Sequence, residues 1–136
     1  MRYDGVRYWR VSDQEKKRIF ETIRQKLLED QRIQLGIAFG SIVRRNVIRD
    51  VDVAFYDAPP ISFDEFLWLG ASIELAVGLP VDFVPLRELA PGFRAKVLLS
   101  GVCLLDRSNM RWKLLAMALS EQFALQVNRR RSQTAS

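Results

Sequence analysis

Residues 36–56 read GIAFGSIVRRNVIRDVDVAFY, an apolar run, a Gly40-Ser41 turn, a short basic segment, and a second apolar run interrupted by Asp50 and Asp52. Alternate side chains of a strand share a face, so the two carboxylates of Asp50-Val51-Asp52-Val53 are expected on one side while Val51 and Val53 enter the core. Like charges side by side each favour protonation of the other unless a cation lies between them. A divalent metal is the simplest such cation, and Mg²⁺ commonly joins one or two protein carboxylates to nucleotide phosphates. Gly40 lets the backbone approach a phosphate closely, and a helix start after it would offer unpaired N–H groups and a positive dipole end.

Working outward, residues 33–39 alternate Ile33, Leu35, Ile37 and Phe39 with smaller or polar residues, which predicts a strand ending at the turn. A short helical turn after Ser41 would present Arg44 and Arg45, and a second strand is expected over 49–56, broken by Asp57-Ala58-Pro59-Pro60. Ser12-Asp13-Gln14-Glu15 and Ser62-Phe63-Asp64-Glu65 are capping boxes that open helices. Ile19, Phe20, Ile23, Leu27 and Leu28 form the apolar face of the first helix. Phe63, Phe66, Leu67, Ile73 and Ala76 form that of the second, which ends at Gly78. Residues 79–85 read as a short third strand in which Asp82 stands alone among apolar neighbours. A buried carboxylate there needs a partner or a metal.

Residues 86–99 predict a connecting helix or pair of turns interrupted at Pro91-Gly92, and residues 102–105 a fourth strand with Cys103 buried. From about 109 to 127 a final helix carries Trp112, Leu115, Leu119 and Phe123 on one stripe, widened by Met110, Leu114, Met117 and Leu125. So broad an apolar surface is either a fully buried core helix or a seam for a second copy or another chain. The N-terminal arm, residues 1–11, mixes Arg2, Arg7 and Arg10 with Tyr3, Tyr8 and Trp9. It reads as an added strand or arm, with contact to RNA as the alternative.

With 136 residues, 49% hydrophobic and 27% charged, one soluble domain over 1–136 is expected, with a basic flexible tail at 128–136 containing Arg129, Arg130 and Arg131. The net charge of +5 suits a polyanionic partner such as a nucleotide or RNA. No membrane span or signal peptide is read, so a cytoplasmic protein is expected. The chain contains no histidine and one cysteine, which excludes Ser-His-Asp and Cys-His mechanisms, His-containing zinc sites and an internal disulfide. Carboxylate, metal and arginine chemistry remains.

The order strand, Gly40-Ser41, basic turn, Asp50-Val51-Asp52-Val53 strand, helix, Val81-Asp82-Phe83 strand resembles the minimal nucleotidyltransferases of the DNA polymerase β superfamily. In that family a Gly-Ser motif is followed by an acidic-x-acidic strand and a third acidic residue on a later strand. Residues 97–105 followed by a long helix are similar to the family's C-terminal portion, so the resemblance covers most of residues 13–125. It implies an α+β fold of the nucleotidyltransferase, polymerase β-like type: a small mixed sheet of about four strands packed with helices, plus a C-terminal helix. It also implies catalytic and metal-binding roles for Asp50, Asp52 and Asp82, which would hold two Mg²⁺ ions, or Mn²⁺ in their place. Gly40, Ser41 and Arg44 would bind the phosphates of ATP. The sequence differs from the family at Arg45, often Gly there, at Arg49, frequently Ser, and in a short segment between Ser41 and Asp50.

The function implied is Mg²⁺-dependent transfer of a nucleoside monophosphate, AMP from ATP, to a hydroxyl acceptor. Many small domains of this kind are the antitoxin of a HEPN-domain ribonuclease and modify a tyrosine of that toxin. The alternative is a partner-binding or RNA-binding module without turnover, and self-association through the final helix stays open beside a HEPN-type partner.

Overall fold

A computed structural model describes residues 2–3 and 6–134 of the chain. In chain order the elements are β1 (Arg2–Tyr3), β2 (Val6–Arg7), β3 (Trp9–Arg10), α1 (Asp13–Leu28), β4 (Ile33–Phe39), α2 (Ser41–Arg44), β5 (Val47–Ile48), β6 (Val51–Asp57), α3 (Phe63–Val77), β7 (Val81–Pro85), a 3₁₀ turn (Leu86–Glu88), α4 (Pro91–Ser100), β8 (Val102–Asp106) and α5 (Met110–Thr134). The central sheet has four strands in the order β7-β6-β4-β8. β6 runs antiparallel to β4 and parallel to β7, and β4 runs antiparallel to β8. This is the expected α+β architecture with a small mixed sheet and a C-terminal helix.

The sheet is covered on both faces, and period-two alternation decides which residue faces which layer. Val51, Val53 and Phe55 of β6 join Phe83 of β7 and Ile19, Ile23 and Leu27 of α1 in one core, closed by Leu69 and Ile73 of α3. Phe55, Phe66 and Phe83 stack there, with Phe55 and Phe83 centroids 4.3 Å apart. Leu35, Ile37 and Ala54 face the other way, against Ala95, Val97 and Leu98 of α4 and Ala118 of α5. Both capping boxes form as the sequence predicts: Ser12 Oγ accepts from Glu15 N–H and Ser62 Oγ from Glu65 N–H, each at 3.1 Å. Gly78 ends α3 in the left-handed region, with φ +80°.

Several expectations change. On α3 the buried stripe is Phe66, Leu69, Ile73 and Val77, three and four residues apart. Phe63 and Leu67 sit off that stripe and are exposed. Pro91 does not interrupt a helix but opens α4 at its first position, where its missing N–H has no helical acceptor to lose. Cys103 is exposed rather than buried. The β4–β8 register slips between Gly36 and Ile37, pairing Gly36 with Leu105 and Ile37 with Cys103. The bulge sends Leu104 and Leu105 consecutively into the core and turns Cys103 out. Partial desolvation still pushes the Cys103 thiol above its ordinary pKa, so it is no activated nucleophile.

Residues 128–134 continue helix α5, and residues 135–136 lie outside the described residues. α5 is not a core helix: Ala118 is its one buried hydrophobic residue, and Trp112, Met117, Leu119, Phe123 and Leu125 are exposed. No helix among the described residues is long and apolar enough to cross a membrane.

The arm, of which residues 1, 4 and 5 lie outside the described residues, is built of strands. β1 pairs with β2, and β3 pairs with β5, Trp9 opposite Ile48 and Arg10 opposite Val47. Val11 and Asn46 exchange two further hydrogen bonds of 2.7 Å each. The guanidinium of Arg7 lies 5.2 Å from the centre of the Trp9 ring. The arm therefore braces the segment that joins the Gly40-Ser41 turn to Asp50.

Among the described residues the buried carboxylate is Asp57, at the end of β6, and not Asp82. Asp57 Oδ2 accepts from Ile61 N–H at 2.9 Å, and Oδ1 accepts from Arg87 Nη1 at 2.6 Å. Removing one partner of a buried ion pair leaves a desolvated charge, which costs more than the pair itself contributes. Arg87→Met is expected to lower unfolding stability by about 2 kcal/mol, measured as a fall in the denaturant midpoint at unchanged slope. An unchanged midpoint would show that Ile61 N–H alone satisfies Asp57.

Candidate functional site

Three elements meet where β4 gives way to α2. Phe39, the last residue of β4, stands opposite Asp52 in the antiparallel pairing, and Asp52 stands opposite Asp82 in the parallel one. Alternation along β6 puts Asp52 on the same face as Ala54, and alternation along β7 puts Asp82 with Val84, both toward α4. Between β4 and α2, Gly40 has φ +79°, a conformation L side chains rarely adopt. A Cβ at Gly40 would also overlap Asp52 Oδ2. Glycine is thus required twice over, by the turn and by the carboxylate packed against it.

Ser41 begins α2, and Arg45 N–H closes it on the Ser41 carbonyl at 2.7 Å. With four residues, α2 offers backbone N–H groups rather than the appreciable dipole that a longer helix would supply. Ile42 is fully buried and anchors the turn, leaving Arg44 and Arg45 exposed.

These groups line one cavity of about 620 Å³: Gly40, Ser41, Arg44 and Arg45 from the turn, Asp52 and Asp82 from the sheet, and Phe93, Lys96 and Ser100 from α4. Of the six residues the sequence singles out, five reach this cavity. Asp50 is the sixth and lies outside its lining. It precedes β6 instead of belonging to it, and its Oδ2 is 4.0 Å from Arg49 Nε. Asp82 is exposed to solvent on β7, an edge strand with β6 as its neighbour on one side only.

Asp52 carries the electrostatic consequence. Its carboxyl is pushed up to about 6, first by burial, then by the neighbouring charges of Asp50 and Asp82, against a smaller opposing effect of Arg49. Among the described residues no three carboxylates are grouped closely enough to hold one ion by themselves. Asp52 and Asp82 supply hard oxygens with excess negative charge, and Mg²⁺ asks for one or two protein carboxylates beside phosphates and waters. The donor set fits that ion when a polyphosphate completes it.

Sequence reasoning missed Phe93, Lys96 and Ser100 as lining. Their spacing of three and four residues marks one helix face, but the expected break at Pro91-Gly92 hid it.

The raised carboxyl at Asp52 has a stability cost. The charged form is disfavoured in the folded state, so the penalty is absent below the unfolded carboxylate range, near pH 4, and full above about pH 6. Asp52→Asn is therefore expected to stabilise the metal-free protein by about 1 kcal/mol at pH 7.5, screening included, with the gain vanishing toward pH 4. Thermal midpoints of both proteins across that range measure it. A gain that persists at pH 4 would show that charge is not its source.

The comparisons with known proteins follow this geometry. No curated protein sequence matches the chain. Solved structures do. A crystal structure of a toxin-antitoxin with AMP-PNP matches at 23% identity over 82% of this chain and 92% of that chain, with a TM-score of 0.71. A mutant of the toxin-antitoxin MntA-HpeT matches at 25% identity over 78% of this chain and 88% of that chain, with a TM-score of 0.66. A tri-AMPylated Shewanella oneidensis HEPN toxin in complex with an MNT antitoxin matches at 21% identity over 86% of this chain and 91% of that chain, with a TM-score of 0.64. The model of the family described as polymerase beta, nucleotidyltransferase matches residues 21–110, from within α1 to the start of α5 and across every site residue named above. The chain belongs to the polymerase beta nucleotidyltransferase family.

Proposed function

We propose that this chain moves AMP from ATP onto a hydroxyl acceptor, a tyrosine of a HEPN-type toxin, and so serves as the antitoxin of a pair. The observation that carries the reading is the in-register pair Asp52 and Asp82 beside the Gly40-Ser41 turn, in a cavity that also holds Arg44. Similarity to chains of toxin-antitoxin structures, one with AMP-PNP and one with a tri-AMPylated HEPN toxin, supports the choice of nucleotide and acceptor.

In this reading Asp52 and Asp82 would hold Mg²⁺, and Asp50, immediately before β6, would be the third carboxylate of the set. Mn²⁺ suits the same oxygens. The metal, when bound, neutralises triphosphate charge and lowers the pKa of the acceptor hydroxyl. The chain's own groups do the rest. N–H groups at Ser41 and the guanidinium of Arg44 grip the β and γ phosphates, and Arg45 and Lys96 add positive charge. The acceptor oxygen bonds to the α-phosphorus while the bond from that phosphorus to the α,β-bridging oxygen breaks, releasing pyrophosphate. Asp82, the more exposed carboxylate, takes the hydroxyl proton. The exposed stripe Trp112, Leu119 and Phe123 of α5 gives the partner its docking face.

Incubation with ATP labelled on the α-phosphate, Mg²⁺ and a HEPN toxin is expected to transfer label to the toxin. Asp52→Ala and Asp82→Ala should each reduce the transfer by about a hundredfold or more, since outer-sphere partners of a metal already cost about 10- to 100-fold. Transfer that persists in either variant, or label that reaches no tyrosine, would sink the reading.

A further inference from the structure

The cavity has an aromatic component that phosphate and metal chemistry does not use. Phe93 occupies the third position of α4 and is 47% exposed although it faces a cavity. Its one ring partner among the described residues is Phe39, at a centroid distance of 5.9 Å and an interplanar angle of 75°. That edge-to-face contact orients the pair and leaves ring surface free toward the cavity. Phe39 immediately precedes Gly40, and Val84 and Leu89 extend the apolar lining.

The mounting is rigid. Ala95 and Leu98 are buried on the face of α4 away from Phe93, and Arg94 Nη2 meets Glu121 Oε2 of α5 at 2.6 Å. Lys96 follows Phe93 by three residues on the same cavity-lining face, about 4.5 Å along the helix axis. An aromatic surface and a cation one turn apart, beside the Gly40-Ser41 turn, suit a flat heteroaromatic ring joined to a polyanion.

We propose that Phe93, held by Phe39, is the platform on which the base of the nucleoside triphosphate stacks. The proposal rests on the nucleotidyltransferase reading and names its base-binding residue. Stacking on an aromatic side chain tolerates any base, because every base has a π face. The strength of nucleotide binding at this wall therefore comes from ring area rather than from hydrogen bonds to base edges.

Calorimetric titration of the full chain with MgATP and, separately, with magnesium tripolyphosphate, which lacks sugar and base, tests this. Phe93→Ala is expected to weaken MgATP about tenfold or more and to leave tripolyphosphate unchanged. Phe93→Tyr, which keeps the ring, should bind MgATP within about twofold of the parent. Equal MgATP affinity in Phe93→Ala, with or without a loss of AMP transfer, overturns the platform and leaves the nucleotidyltransferase reading standing; a transfer loss alone would assign Phe93 to the acceptor. Weakening of both ligands by Phe93→Ala makes the ring structural and also overturns it. A parent chain that binds neither ligand overturns the nucleotidyltransferase reading and the platform together.

Discussion

The backbone pairing of β6 on both sides, antiparallel to β4 and parallel to β7, is the constraint on which the rest depends. Register in a sheet is all or nothing, since a slip of one residue exchanges the two faces. With Val51, Val53 and Phe55 committed to the core under α1 and α3, Asp52 has one face left to occupy. The parallel pairing then brings Asp82 alongside it, and the antiparallel pairing brings Phe39 and the Gly40 turn. One register thus assembles the carboxylates, the turn and the aromatic wall.

The fold bears electrostatic tension at this point. Asp52 is partly desolvated beside two further carboxylates, and the smaller opposing effect of Arg49 does not offset them. Asp57 shows the opposite solution five residues along the same strand: it is buried more deeply but satisfied by Arg87 and Ile61 N–H. Asp57 has its partners built in, whereas the charge of Asp52 has no partner of comparable strength among the groups that shift it. The arm pairing at β3–β5 has a related effect, because it holds the otherwise irregular link between Ser41 and Asp50 in place.

α4 and α5 form the second layer and divide their work. α4 turns Ala95 and Leu98 to the core and Phe93 and Lys96 to the cavity. α5 supports α4 through Ala118 and Glu121 and leaves a broad apolar surface exposed along its length.

Local chemistry made much of this readable in advance. The capping boxes at Ser12 and Ser62, the strand 33–39 and the Gly40 turn depend on neighbours a few residues away, and the sequence by itself determined them. What only the tertiary structure decided depends on contacts between distant segments. Asp82 is exposed on β7 at the edge of the sheet, and Asp57 is the buried carboxylate because Arg87 comes from beyond the next strand. Cys103 turns outward because of a bulge that exists in the pairing of β8 with β4 and nowhere in either strand alone. Phe93 joins Phe39 across 54 residues for the same reason. Burial and register are properties of assembled layers, and no local pattern carries them.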